Sequence, residues 1–198
     1  LTDGTKDALQ TTQIYMNLWN PCRSASCILV NCMTDISWEA IIAFIQAVSG
    51  ILHLQYVSAG YDVVNNDFWY PRSAAYGLKF LQTIKYANSK WTEWFYLCYV
   101  VNKAIYGPNV VQFLSDNLWE PVEQTVHQCG FTCTPLNTGV MLDILDHKDG
   151  KLLEPGKEEL LDRLSRLYQA LHPIIVPTAK PMFLKENEWS LWQQRFAF

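Results

Sequence analysis

Charged side chains are scarce in this sequence of 198 residues. Asp, Glu, Lys and Arg make up 17% of the chain, whereas about a quarter is usual for a soluble protein. The 15 basic residues are scattered and the formal net charge is −4. Proteins that grip a phosphate backbone usually carry a clustered basic face, so the composition predicts no nucleic-acid partner.

Motifs for catalysis and for cofactors are also missing. The chain has no Cys-x-x-Cys pair, which is the common core of a structural zinc site. The acidic stretch before Gly150 does not form an EF-hand, because Leu145 would occupy the first ligand position. We therefore expect a non-enzymatic protein with no cofactor and no metal ion.

Six cysteines are present, and three of them lie five residues apart near the start of the chain. In a helix, five residues rotate the chain by roughly 500°, and in a strand an odd offset reverses the face. Thiols at this spacing therefore splay outward and suit separate disulfides. The candidate disulfide cysteines are Cys22, Cys27, Cys32, Cys129 and Cys133. Disulfides favour a secreted or extracellular protein, and a chain that starts at Leu1 is consistent with a processed product.

Other uses of the thiols remain open. Cys22 follows Pro21 and could start a short helix, where the helix dipole lowers a thiol pKa. With His127 as the base and Glu123 as its orienting group, it would form a cysteine-dependent hydrolase. A second alternative is a zinc site made of His127, Cys129 and Cys133. A third is a set of reduced, buried thiols.

Hydrophobic residues are abundant and make up 49% of the chain. The segment at about 37–57 includes eighteen successive residues without a formal charge. Its repeated polar side chains would be costly in a bilayer, so a membrane span is not expected. Helical periodicity at 5–19, 109–119, 138–146 and 157–171 predicts further helices. Short apolar runs at 28–30 and 174–176 are the main strand signals, and they could pair as a minor ribbon.

The predicted architecture is all-α. A single-domain helical bundle would surround the hydrophobic central helix at about 37–57. Residues 1–172 would form the helical domain. Residues 173–198 would form an extended arm spaced by prolines and a C-terminal helix, packed on the same domain.

Aromatic side chains make up 14% of the chain and include eight tryptophans. Aromatic residues with arginine dominate binding hot spots, and loops carry binding residues more often than cores do. The predicted partner-binding residues are those of one loop and of the C-terminal helix, namely Phe68, Trp69, Tyr70, Arg72, Trp189, Trp192 and Phe196.

These observations lead to one leading hypothesis and two alternatives for function. The leading hypothesis is a disulfide-stabilised module that binds a protein partner through aromatic surface patches. One alternative is a helical carrier of an apolar small ligand, bound inside the bundle. The other is the hydrolase that uses Cys22 and His127.

Overall fold

A computed structural model describes residues 13–17, 27–31, 36–60, 104–105, 107–175 and 196, with only the backbone of the first two ranges. The chain is mixed α/β, so the prediction of an all-α helical bundle is wrong. The α-helices are α1 (Trp38–Ser49), α2 (Asp116–Trp119), α3 (Glu123–Gln128) and α4 (Lys157–Leu171). The strands are β1 (Gln13–Asn17), β2 (Cys27–Asn31), β3 (Tyr56–Ala59), β4 (Val111–Ser115), β5 (Thr132–Leu136), β6 (Gly139–Asp143), β7 (Asp146–Lys148) and β8 (Lys151–Leu153).

A four-stranded antiparallel sheet with the order β3-β4-β6-β5 forms the centre of the described fold. Every residue of β4 and β6 is buried. A strand buried on both faces reads as a continuous apolar run without alternation, and periodicity cannot distinguish it from a buried helix. The helix predicted at 109–119 is wrong at 111–115, which form β4, and right at 116–119, which form α2. The helix predicted at 138–146 is wrong, because 139–143 form β6.

Helix α4 covers the core that the sheet provides, and its predicted bounds of 157–171 are confirmed. Leu160, Leu164, Leu167 and Leu171 are buried in the same cluster as the side chains of β4 and β6. Each fully buried leucine contributes about 1.5–3 kcal/mol of hydrophobic stabilisation. This stripe at three- and four-residue intervals is a strong helix signal in the sequence.

Helix α1 is shorter and less buried than the predicted central helix at 37–57. Ser37 caps its start, because the Ser37 hydroxyl accepts a hydrogen bond from the amide of Ala40 at 3.3 Å. It ends before Gly50, and residues 56–59 form β3 instead. Within the helix only Ile45 and Ser49 are buried, so α1 lies on the surface of the described fold.

The start of α1 is tied to the β7–β8 hairpin. The Leu152 amide donates to Glu39 Oε1 at 2.8 Å, and this bond holds the pKa of the carboxyl group below its ordinary value. Asp149 and Gly150 form the turn of the hairpin, and both have positive φ, which these residue types tolerate.

The first strands form a separate antiparallel pair, with Tyr15 opposite Leu29. The helix predicted at 5–19 is therefore wrong at 13–17, whereas the strand signal at 28–30 is confirmed. Its partner is β1 and not the run at 174–176. Ile175 instead forms an isolated parallel bridge with Ile105.

Strand β5 is an edge of the four-stranded sheet, and Pro135 lies in it opposite Val140. Proline has no amide hydrogen, so it is tolerated in edge strands and removes a donor from the edge. Pro135 is exposed.

The disulfide prediction is wrong for the cysteines whose side chains the structure describes: Cys129 and Cys133 are both free thiols. Cys129 lies at the end of α3 and Cys133 in β5, where each is only partly buried and donates to a nearby backbone carbonyl. The side chains of Cys22, Cys27 and Cys32 lie outside the described residues. So does most of the predicted arm and C-terminal helix at 173–198, and that division of the chain stays a prediction.

Candidate functional site

A polar cleft opens between the end of α3, the corner that joins β6 to β7, and one side of α4. Its volume is about 420 Å³. Its polar and charged lining includes Asp146, His147, Arg163 and Arg166, and Phe131 and Leu145 add apolar surface. This lining suits a polar ligand better than the apolar small molecule of the carrier hypothesis.

Asp143 is the buried charge beneath this cleft. Its side chain is 2% exposed, and its Oδ1 lies 2.9 Å from Nε2 of His147, a ring that is 46% exposed. The same oxygen accepts a hydrogen bond from the Leu145 amide at 3.2 Å. Because a carboxylate can only accept, Nε2 carries the hydrogen and the orientation of the imidazole is fixed.

Arg163 joins α4 to the corner that follows β6. Its guanidinium donates to the Ile144 carbonyl at 2.8 Å and to Asp146 at 2.7 Å, and it also binds Glu159. Only 14% of this side chain is exposed. Two carboxylates therefore surround the single positive charge of the guanidinium, and its bonds tie α4 to the corner after β6, so we call Arg163 a structural clamp.

Arg166 stands one turn further along α4 and is more open. Its Nε donates to Asp162 at 3.1 Å, and 49% of the side chain is exposed. The guanidinium carbon lies 5.3 Å from the centroid of the Phe131 ring. This cation–π contact holds the plane of the guanidinium at the cleft.

Neither described thiol is poised as a nucleophile. Burial is the main cause that raises the pKa of Cys129, against a smaller opposing effect of Arg166. Burial, with the charges of Asp143 and Glu123, raises the pKa of Cys133 to about 11. A reactive cysteine needs a lowered pKa, so these thiols are protonated at neutral pH.

His127, the predicted catalytic base, lies on the exposed side of α3. Its Nε2 is 3.8 Å from the predicted orienting group Glu123, and its ring meets Trp119 edge-on at 5.5 Å. The proposed nucleophile Cys22 lies outside the described residues. Within the described ranges, no group of three or more His, Cys, Asp or Glu side chains could hold a metal ion, so His127, Cys129 and Cys133 do not form a zinc site.

The predicted partner-binding residues lie almost entirely outside the described ranges: Phe68, Trp69, Tyr70, Arg72, Trp189 and Trp192. Phe196 is described, and it is 1% exposed. Its ring lies 6.3 Å from that of Tyr168, so it belongs to the core and does not present a free surface.

An apolar surface lies on α1, and sequence reasoning assigned it to the core. We call Ala40, Ala43, Phe44 and Ala47, together with Ile51 just beyond the end of the helix, the outer face of α1; all five are exposed, with Phe44 at 51% and Ile51 at 83%. At about 100° per residue the four helical members form a stripe roughly opposite the buried Ile45 and Ser49. The sequence signal that could have indicated this surface is the presence of apolar residues on both sides of the helix.

In the part of the chain that the structure describes, no helix meets the length and hydrophobicity needed to cross a membrane. Compared with known proteins, the chain matches no family model, no curated protein and no solved structure.

Proposed function

We propose that this chain is a non-enzymatic binding module that holds a protein partner on the outer face of α1. The observation that carries the proposal is the exposure of two large apolar side chains, Phe44 on α1 at 51% and Ile51 just beyond its end at 83%, while the opposite side of the helix packs into the core. Large apolar side chains clustered on a surface mark interaction sites, whereas single ones are ordinary. Leu52 and Leu153, each 44% exposed, add to the apolar surface of α1 and of β8, which contacts it.

An amphipathic helix of another protein is the occupant that fits this face. The outer face of α1 carries no charge, so an acidic or basic segment would gain nothing there. Ala40, Ala43 and Ala47 let a partner backbone approach closely, while Phe44 and Ile51 project between its side chains. Docking by apolar anchors at three- and four-residue intervals is a common mode of helix recognition.

Site-specific photo-crosslinking tests the proposal. A benzophenone amino acid in place of Phe44 should crosslink to one partner protein in cells of the source organism. The purified partner should then bind the unmodified chain, and the double variant Phe44→Gln/Ile51→Gln should weaken binding by at least about tenfold. Truncating hot-spot residues costs about 2 kcal/mol or more, which corresponds to that factor.

Gln46→Ala is the matched control, because Gln46 is exposed on the same helix but outside the outer face. It should leave the affinity unchanged. Crosslinks that join position 44 only to the chain itself would contradict the proposal, since the face would then be covered by its own protein.

A further inference from the structure

The β7–β8 hairpin lies beside the first turn of α1, and a hydrogen bond between distant parts of the chain fixes it there. The Leu152 amide of β8 donates to Glu39 Oε1 at 2.8 Å. This bond is the main cause that lowers the pKa of the Glu39 carboxyl group, so the acceptor is a carboxylate at neutral pH. Bonds to an ionised acceptor are stronger than those between neutral groups.

This contact places a further apolar side chain next to the outer face of α1. Leu152 packs against the core, and successive residues of a strand point to opposite sides. Leu153 therefore points outward, and it is 44% exposed. At the other end of the helix, the amides of Ile51 and Leu52 both donate to the Val48 carbonyl, at 3.1 and 2.8 Å. We call the outer face of α1, together with Leu52 and Leu153, the combined apolar surface.

The charges around the combined apolar surface favour a protein partner over a lipid surface. No member of the surface is charged, whereas Glu39 and Lys151 at its border are both charged and exposed. An apolar centre with a polar rim is typical of protein–protein interfaces. A helix that lies on a membrane usually carries Lys or Arg on its polar face, and α1 contains neither.

We infer that the partner helix is at least about three turns long and packs along the whole combined apolar surface, with Glu39 as the positioning residue that keeps β8 beside α1. The inference rests on the proposed function. The 12 residues of α1 span about 18 Å at about 1.5 Å per residue. Leu153 lies at the start of that length, Phe44 near its middle and Ile51 just beyond its end. A shorter partner helix would leave one of these three side chains in water.

Photo-crosslinking at three positions of the full chain tests the length of the contact. A benzophenone amino acid in place of Leu153 should crosslink to the same protein as one in place of Phe44. Peptide mass spectrometry should locate the two crosslinks in different turns of the same helix of that protein. Gln124, which is exposed on α3, is the control position and should not crosslink to it.

The affinity of the purified crosslinked protein for variants of the chain tests the side chains of β8. Leu153→Gln should weaken binding about tenfold, as expected for the loss of an apolar anchor. Lys148→Gln changes an exposed residue of the neighbouring strand β7 and should leave the affinity unchanged.

Two variants of Glu39 test its role as a positioning residue. Both remove the same charge from the first turn of α1, but only Glu39→Gln keeps an oxygen that accepts from the Leu152 amide. Glu39→Ala should weaken binding about threefold, and Glu39→Gln should restore most of the affinity. In the unbound chain, the Leu152 amide should exchange its hydrogen faster in Glu39→Ala than in Glu39→Gln. Unchanged exchange in α4 shows that both variants keep their fold.

The outcomes separate this inference from the proposed function. A crosslink at position 44 with none at position 153, or an unchanged affinity of Leu153→Gln, would overturn the inference and leave the proposed function in place. Equal losses in the two variants of Glu39 would overturn its positioning role. An affinity that Phe44→Gln/Ile51→Gln leaves unchanged would overturn the proposed function itself. Crosslinks from both positions to a second copy of the chain would overturn both.

Discussion

Asp143 shows how much of the local structure depends on one side chain. It is the last residue of β6, and it holds both the Leu145 amide and the imidazole of His147. These two bonds shape the corner that leads into β7. When a buried donor loses its acceptor, the folded state still bears the full free-energy cost of removing that donor from water.

Asp143→Ala should lower the free energy of unfolding by about 2–3 kcal/mol, because the Leu145 amide would be left without its acceptor. Asp143→Asn retains an acceptor oxygen and should lose less. Urea denaturation followed by circular dichroism measures both. The control is Asp162→Ala. The Asp162 carboxylate is 68% exposed, so its loss should lower the free energy of unfolding by less than about 1 kcal/mol. Equal losses at the two positions would contradict this account.

The thiol of Cys133 predicts a dependence of stability on alkaline pH. Its folded pKa is raised to about 11 from an ordinary value of 9.0. The unfolded chain therefore releases this proton first, and the stabilising contribution is present below about pH 9 and is lost towards pH 11. Cys133→Ala should show a shallower fall in unfolding free energy over this range, measured by urea denaturation at successive pH values.

Iodoacetamide offers a kinetic check on the same thiol. Cys133 should react more than about 100-fold more slowly in the folded protein than in urea at pH 8, because only the thiolate attacks. Peptide mass spectrometry measures the rate. Rapid alkylation of the folded chain would show that the thiol is ionised after all.

Gly139 constrains a whole element, the β5–β6 hairpin. A methyl group at this position would lie 2.1 Å from the Leu114 carbonyl oxygen and 2.7 Å from the Ser115 Cα. Both are backbone atoms of the neighbouring strand β4, which cannot move aside as a flexible side chain can.

Gly139→Ala should therefore cost about 3 kcal/mol or prevent folding, since overpacking a well-packed site is strongly destabilising. Gly107→Ala is the matched control, because no atom lies within 4 Å of its added methyl group. Thermal unfolding of the two variants measures the difference. A tolerated Gly139→Ala would mean that β4 and β6 are not paired in this register.

Elements differ in how far the sequence predicts them. Helix α4 could be predicted to the residue because one face is apolar and the other charged. Strands β4 and β6 could not, because burial on both faces removes the alternation that distinguishes strand from helix. The prediction of one helix over 37–57 fails for a different reason: apolar residues continue past Gly50 into β3, although a glycine at the end of a helical pattern is a stop signal.

The candidate sites also differ in how far the sequence predicts them. The residues of the cleft come from α3, the β6–β7 corner and α4, and no local sequence motif indicates that these elements lie together. Asp143 and His147 are four residues apart, a spacing that suggests a helix until the turn between two strands is known. The outer face of α1 was visible in the sequence, and only its exposure was not.

At the scale of the whole molecule, Arg163 links α4 to the sheet. It binds the Ile144 carbonyl beyond β6 and two carboxylates from different elements.

Arg163→Ala should lower the free energy of unfolding by about 2–3 kcal/mol, since it breaks charged hydrogen bonds of a nearly buried side chain. Arg166→Ala, at a side chain that is 49% exposed, should cost less than about 1 kcal/mol. Hydrogen exchange should show faster opening of residues 144–148 only in the first variant. Similar exchange in both would argue against the clamp.

Pro135 bears on how copies of this chain can associate. An edge strand has a row of unpaired backbone amides and carbonyls, which can form hydrogen bonds with a strand of another molecule. Repeated pairing of this kind leads to fibrils. Pro135, the fourth of the five residues of β5, interrupts that row. Self-assembly by strand extension is thereby disfavoured at this border of the four-stranded sheet.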